Sequence, residues 1–284
     1  MSAQTAHGES TGGILDEISQ TIIHHVANSD PLIVLPKIGV IDFSLTKHVI
    51  MLWITAGVIF TLTYLATSRH RREKYPVPTG IGNAIETVVE MLRNQVVIPN
   101  VGKEFANFWS PVIFTFFFFI LTSNFLGLIP LFDKIPGGST ATGNFNVTAG
   151  LAAITFFSII IAGSIKHGFM GYWKNLAPPG QPLPVYILLI PIEIIAMFVK
   201  PFALTMRLAA NMTGGHIAIL SIMSFIFVFG DMFNPATGVA IGAVVSVPLS
   251  AGIYVLEIIV SLIQAYVFTL LTSIFIGMAI HPHH

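Results

Sequence analysis

The sequence predicts an all-α integral membrane protein of about five to six membrane helices, including a long tilted helical hairpin, plus a cytoplasmic surface amphipathic helix. Three observations carry that expectation. Of 284 residues, 54% are hydrophobic and only 9% are Asp, Glu, Lys or Arg, against about 25% charged residues in a soluble domain. The mean hydropathy is +0.81. From His48 onward, apolar tracts reach or exceed the ~20 residues that a spanning helix needs. Cysteine is absent, which excludes disulfide frameworks, thiolate metal sites and cysteine nucleophiles. Thirteen Lys and Arg balance thirteen Asp and Glu, so no basic footprint points to nucleic acid.

Residues 1–45 are expected to be an outer-side N-terminal segment. It opens without a basic stretch followed by an apolar one, so no cleavable signal peptide is expected. Ile14, Leu15, Ile18, Ile22 and Val26 recur every three or four residues, the spacing of either an interfacial anchor or a packed terminal helix. Residues 31–43 hold two prolines and read as a loop with extended pieces. The segment 46–68 carries the first transmembrane helix, His48 to Ser68, which runs into Arg69, His70, Arg71, Arg72 and Lys74. Such a cluster anchors the cytoplasmic side and leaves the N-terminus outside; binding of anionic membrane lipid is the sharper alternative.

Residues 69–108 are a cytoplasmic basic loop and surface helix. Over 80–97, Glu86, Glu90, Arg93 and Asn94 fall on one helical face, which suits a helix lying on the membrane surface. Residues 109–165 supply the second and third spans, Trp109 to Leu131 and Asn144 to Ile165. Asn124, Asn144 and Asn146 near their ends read as caps or interhelical hydrogen bonds. The loop 166–181, with Lys166, His167 and Lys174, returns the chain to the basic side. Residues 182–284 form the hairpin. Its tracts 182–230 and 235–280 would each reach about 70 Å as one helix, against a hydrocarbon core of ~30 Å. Each is therefore expected to be broken or steeply tilted, with Pro201 and Pro248 as bend sites and Asp231 to Pro235 as the turn.

Ionisable groups inside these tracts are functional suspects: Glu193, Lys200, Arg207 and His216 in the first, Glu257 in the second. Steps of seven residues return to within about 20°. Glu193, Lys200, Arg207 and Gly214 therefore make one stripe, with Asn211 a turn beyond Arg207. Lys200 reads as snorkelling or as a partner of Glu193. Arg207 has no acidic residue three or four positions away, cannot discharge, and costs ~2.5–3.5 kcal/mol at mid-membrane. Glu257 and Gln264 share a face with Ser261 between them. A hairpin turning at 231–235 brings His216 level with the 250s, which makes a His216–Glu257 pair reasonable and leaves Arg207 near Gln264. A His/Glu pair beside an unneutralised arginine suggests a proton path.

The segments KPFALTMRLAANMTGGH (200–216) and EIIVSLIQAYVFTLL (257–271) resemble the subunit a family of F-type ATP synthases. The resemblance runs from about residue 48 to 280 and includes SNFLGLIP (123–130), NFNVT (144–148) and the Glu193 to Lys200 spacing. It implies a stator subunit of the membrane sector that forms two proton half-channels against the c-ring and couples proton flow to ring rotation and ATP synthesis. By this likeness Arg207 faces the ring's ion-carrying carboxylate. Asn211, His216, Glu257 and Gln264 line the outer half-channel or flank the arginine, and Glu193 belongs to the cytoplasmic one. The implied partners are the c-ring, the peripheral-stalk b subunits, the remainder of the F1Fo complex and membrane lipid. No cofactor and no metal is implied, nor any enzymatic step by this chain alone. The implied location is a bacterial inner membrane, with the C-terminus cytoplasmic. Two departures stand out. Many bacterial members place an acidic residue at the position of His216 and a histidine at that of Glu257, and some have an acid where Gly127 stands.

The chemistry fits these residue types. A ring carboxylate must be protonated to face lipid. A cation ~4 Å away at an effective dielectric of ~20 contributes roughly 4 kcal/mol, about three pKa units, toward its ionisation. An imidazole near neutrality suits a relay. The enzyme alternative lacks a GxxxxGK phosphate loop and an HExxH pair, and the histidines at 281, 283 and 284 read as accidental. The remaining alternative is a secondary transporter that binds an anionic substrate through Arg207. It predicts an internal repeat, which the two unequal tracts do not provide.

Overall fold

A computed structural model of the chain describes residues 46–68, 80–129, 140–174 and 182–281. The expected N-terminal helix, the loop at 31–43 and the basic cluster at 69–74 lie outside the described residues. Within them the secondary structure is helical. Helix α1 is Lys47–Ser68 and α2 is Ile81–Leu92; α2 continues through a π-helical turn, Arg93–Val97, into the short α3, Ile98–Val101. Helix α4 is Lys103–Gly127, followed by a 3-10 turn at Ala141–Gly143, α5 (Phe145–His167) and α6 (Phe169–Lys174). Helix α7 is Leu183–Met232, α8 is Pro235–Ile241, and a second π-helical turn, Gly242–Ser246, leads into α9, Val247–Ile280. By length and composition, five helical segments among the described residues are able to cross a membrane: His48–Ser68, Lys103–Gly127, Phe145–His167, Pro184–Met232 and Pro235–Ile280. The protein is a multi-pass membrane protein.

Two details differ from the expectation. The second span begins at Lys103 rather than Trp109 and its helix ends at Gly127. Hydropathy marks only the hydrocarbon-buried part of a helix, whereas the helix itself starts where Gly102, at φ 87°, ends the preceding one, and Glu104 in its first turn suits the positive end of the dipole. Of the two alternatives expected for the long tract, broken or steeply tilted, the first does not occur at Pro201. Helix α7 runs unbroken through Pro191 and Pro201 for 50 residues, about 75 Å. In apolar surroundings a proline loses one hydrogen bond, whereas a full break exposes several unpaired backbone groups. Pro248 instead lies in the first turn of α9, just after the wider turn at Gly242–Ser246.

The chain divides into two compact units. The first contains 123–144 and 209–262 among its residues. Here the end of α7 folds back on α8 and the start of α9. Asn234 caps α8, its Oδ1 accepting the Thr237 N–H at 2.8 Å. The arms press together at Gly238, where a Cβ would lie 2.6 Å from the Gly230 Cα. The second unit contains 53–122, 145–208 and 263–284. Its core has two clusters. One joins Trp109, Ile113, Ile159, Tyr172, Met197 and Ile276; the other joins Leu92, Phe116, Ile120, Leu204, Leu208 and Phe268.

Candidate functional site

In the first unit, the hairpin register brings α9 against the 212–215 stretch of α7. Ser261 Oγ donates to Met212 Sδ at 3.9 Å. Glu257 packs on Gly215, where a Cβ would lie 2.8 Å from the Glu257 Cγ. Glu257 is 4% exposed, and neither carboxylate oxygen has a hydrogen-bond partner among the described residues. It belongs to a buried polar stripe, Ser246, Ser250, Glu257 and Ser261, whose steps of four and seven keep them within an arc of about 60°. The hydroxyls of Ser246 and Ser250 are likewise without a partner among the described residues, as is that of buried Ser123.

His216 is half-buried, and its Nε2 lies 2.7 Å from Thr140 Oγ1. The expected His216–Glu257 hydrogen bond is not made. Neighbouring residues on a helix point about 100° apart, and the carboxylate enters the space left by the glycine beside His216. Thr140 belongs to a segment tied down at three points. Besides its contact with His216, Thr142 Oγ1 donates to Asn124 Oδ1 at 2.6 Å, and Thr213 Oγ1 donates to the Gly143 carbonyl at 3.2 Å. Asn124, fully buried, also donates through Nδ2 to the Ser261 carbonyl at 3.4 Å. Asn211 is exposed on α7.

In the second unit, Arg207 is exposed while Leu204 and Leu208 beside it are 2% and 0% exposed. Among the described residues no carboxylate forms an ion pair with it. Ala203 and Ala210, each within a turn of Arg207, are also exposed, as are Phe202 and Met206. Glu193 and Lys200, seven residues apart, pair at 3.9 Å, and the Lys200 ammonium lies 5.8 Å from the Phe275 ring centre. Gln264 is buried. Outside the spans, burial and, secondarily, the Glu193 charge push the Tyr172 phenol above its ordinary value. Among the described residues no group of three His, Cys, Asp or Glu is placed to hold a metal.

Thr140, Thr142, Thr213, Ser246 and Ser250 were not among the sequence-derived candidates. The serines recur on the stripe of Glu257, which a search for four- and seven-residue steps would find. Nothing local marks Thr140, because its partner is far away in sequence.

Comparison with known proteins gives this arrangement a context. A family model described as "ATP synthase A chain" matches residues 49–277. The chain is 41% identical to "ATP synthase subunit a 2" of Chlorobium luteolum over 97% of its own length and 80% of that protein. It is 39% identical to "ATP synthase subunit a" of Pelodictyon phaeoclathratiforme over 98% and 78% of the two chains. It is also 41% identical to the subunit of the same name from Chloroherpeton thalassium, over 95% and 78%.

Proposed function

Because the chain belongs to the ATP synthase A chain family, we propose that it forms two proton half-channels against the c-ring and thereby couples proton flow to ring rotation and ATP synthesis. The carrying observation is Arg207, a permanently charged group exposed on a membrane-length helix and unpaired among the described residues. Small residues at 203 and 210 leave room for another helix to approach closely. A ring carboxylate brought there gives up its proton, because the adjacent cation stabilises its ionised form by roughly 4 kcal/mol.

The buried stripe of Ser246, Ser250, Glu257 and Ser261, with His216 beside it, supplies the outer path. Buried polar groups require hydrogen-bond partners, and water is the partner that a proton path contains. Glu193, paired only loosely with Lys200, serves the cytoplasmic path, and Asn211 and Gln264 flank the arginine. The field supplies ~2.3 kcal/mol per charge per 100 mV. The fixed arginine keeps the two paths apart, so no proton bypasses the ring. Nucleotide chemistry belongs to other subunits. On this reading the N-terminus is outside and the C-terminus lies in the cytoplasm of a bacterial cell, which the odd number of membrane-length helices among the described residues supports, and the b subunits hold the chain as stator.

The test is ATP-driven acidification and passive proton leak in inverted membrane vesicles carrying Arg207→Ala. Loss of pumping with the complex assembled is expected, together with a raised leak. Pumping at the wild-type rate overturns the proposal and returns attention to an anion transporter.

A further inference from the structure

We propose that Thr140 is a positioning residue for His216, and that Gly127 is small because Thr140 fills its side-chain space. This rests on the proton-path reading of His216. Thr140 is 3% exposed, and its Oγ1 is 2.7 Å from His216 Nε2. A Cβ built on Gly127 would lie 2.6 Å from Thr140 Cγ2 and 2.7 Å from Thr140 Cβ, and closer still to Oγ1. Positions 127 and 140 therefore share one side-chain volume, and the hydroxyl at its tip reaches the imidazole. The bonds from Thr142 to Asn124 and from Thr213 to Gly143 fix the backbone that follows Thr140, so the hydroxyl is delivered from a held segment.

The chemistry favours a hydroxyl over a pure acceptor or a pure donor. Neutral imidazole presents a lone pair at one ring nitrogen, whereas imidazolium presents N–H at both. A relay histidine alternates between these states. A threonine hydroxyl donates to Nε2 in the first and accepts from Nε2–H in the second, so it holds the ring in place through the whole cycle. A backbone carbonyl supports only the protonated nitrogen. The hydroxyl takes no net proton in this role and only reorients.

The test measures ATP-driven acidification in inverted vesicles with the complex assembled, comparing Thr140→Val, Thr140→Ser, Thr140→Ala and the double variant Gly127→Ser/Thr140→Ala. Removing the hydroxyl is expected to slow pumping about 10-fold. Thr140→Ser should retain roughly half the rate or more, since it keeps the donor and acceptor. The double variant offers a hydroxyl from the other wall of the same volume and should pump faster than Thr140→Ala alone. A Thr140→Val rate within about twofold of wild type overturns the proposal, because a lost hydrogen bond to a working relay exceeds that. If the valine variant does not assemble, the alanine pair decides: a double variant no faster than Thr140→Ala overturns it. Arg207→Ala and His216→Ala run in parallel. Normal pumping in those two sinks the proton-path reading itself, whereas their failure beside a normal Thr140→Val sinks only the role of Thr140.

Discussion

Gly215→Ala places one methyl group where Glu257 lies. A Cβ at position 215 would stand 2.5 Å from the Glu257 Cδ and 2.8 Å from its Cγ, while carbon atoms settle at about 3.5–4.0 Å. The carboxylate must therefore retreat by about 1 Å. Overpacking of this kind costs ~1–3 kcal/mol, and replacing a glycine within a helix returns about 1 kcal/mol. The net loss of ~0–2 kcal/mol leaves an assembled subunit. Function is more sensitive, because a 1 Å misplacement of a working group slows a reaction by roughly 100-fold. The assay is the initial rate of ATP-driven acidification, normalised to the amount of subunit in the membrane. The rate is expected to fall by about 10- to 100-fold with content nearly unchanged. Gly150→Ala, whose Cβ meets nothing within 4 Å, serves as the neutral control. Gly215→Ala/Glu257→Asp should regain part of the rate, since aspartate withdraws the carboxylate by one methylene. Wild-type pumping in Gly215→Ala would refute the idea that the position of Glu257 matters.

Other changes probe the scaffold. Asn124→Ala strips the partners from Thr142 Oγ1 and the Ser261 carbonyl; at ~1–3 kcal/mol for an unsatisfied buried group, the thermal midpoint of the solubilised complex should drop. Gly277→Ala sets a Cβ against the Asn100 carbonyl, 2.8 Å from its carbon. Backbone yields less than a side chain, so ~1–3 kcal/mol or more is lost and the amount of subunit recovered from membranes should fall. Tyr172→Phe addresses pH. Burial, then Glu193, raises the phenol's folded value above 10.0, so its stabilising contribution is complete below that value and is lost as pH rises through the raised one. Wild type and variant should melt alike at about pH 7–9, and the variant should lose less stability above pH 10; parallel decline would refute it.

The first span was legible because 21 residues without Asp, Glu, Lys or Arg are a local fact, and the helix runs over His48–Ser68 as the sequence suggested. The Glu193–Lys200 pair was legible for the same reason, since a step of seven on one helix fixes which side chains meet. The start of α4 was not, because Lys103 to Phe108 reads as a polar approach to a span, and only the break at Gly102 marks where the helix begins. At Pro201 the sequence left breaking and tilting both open, because proline's local cost is visible in sequence, while the cost of breaking a helix in an apolar setting depends on what surrounds it. Thr140 as a partner of His216 was invisible: it meets the imidazole from a segment 76 residues away, whereas spacing along two helices pointed only to Glu257.

Charge bookkeeping at Arg207 leads outside the chain. An arginine facing hydrocarbon costs ~2.5–3.5 kcal/mol even on lenient scales, so a counter-charge is needed. Among the described acidic residues, Glu104 pairs with Lys166 at 3.5 Å and Glu193 with Lys200. Glu257 is buried against Gly215, Glu86 and Glu90 are exposed on α2, and Asp231 lies at the hairpin turn. None forms an ion pair with Arg207. A second chain that brings a carboxylate to this face lowers the cost of the arginine and of its own ionised form together. When that carboxylate leaves toward lipid it must first take up a proton. On the proposed function, the same arginine that makes proton release favourable makes departure without a proton unfavourable, and this asymmetry would tie ion flow to movement of the partner.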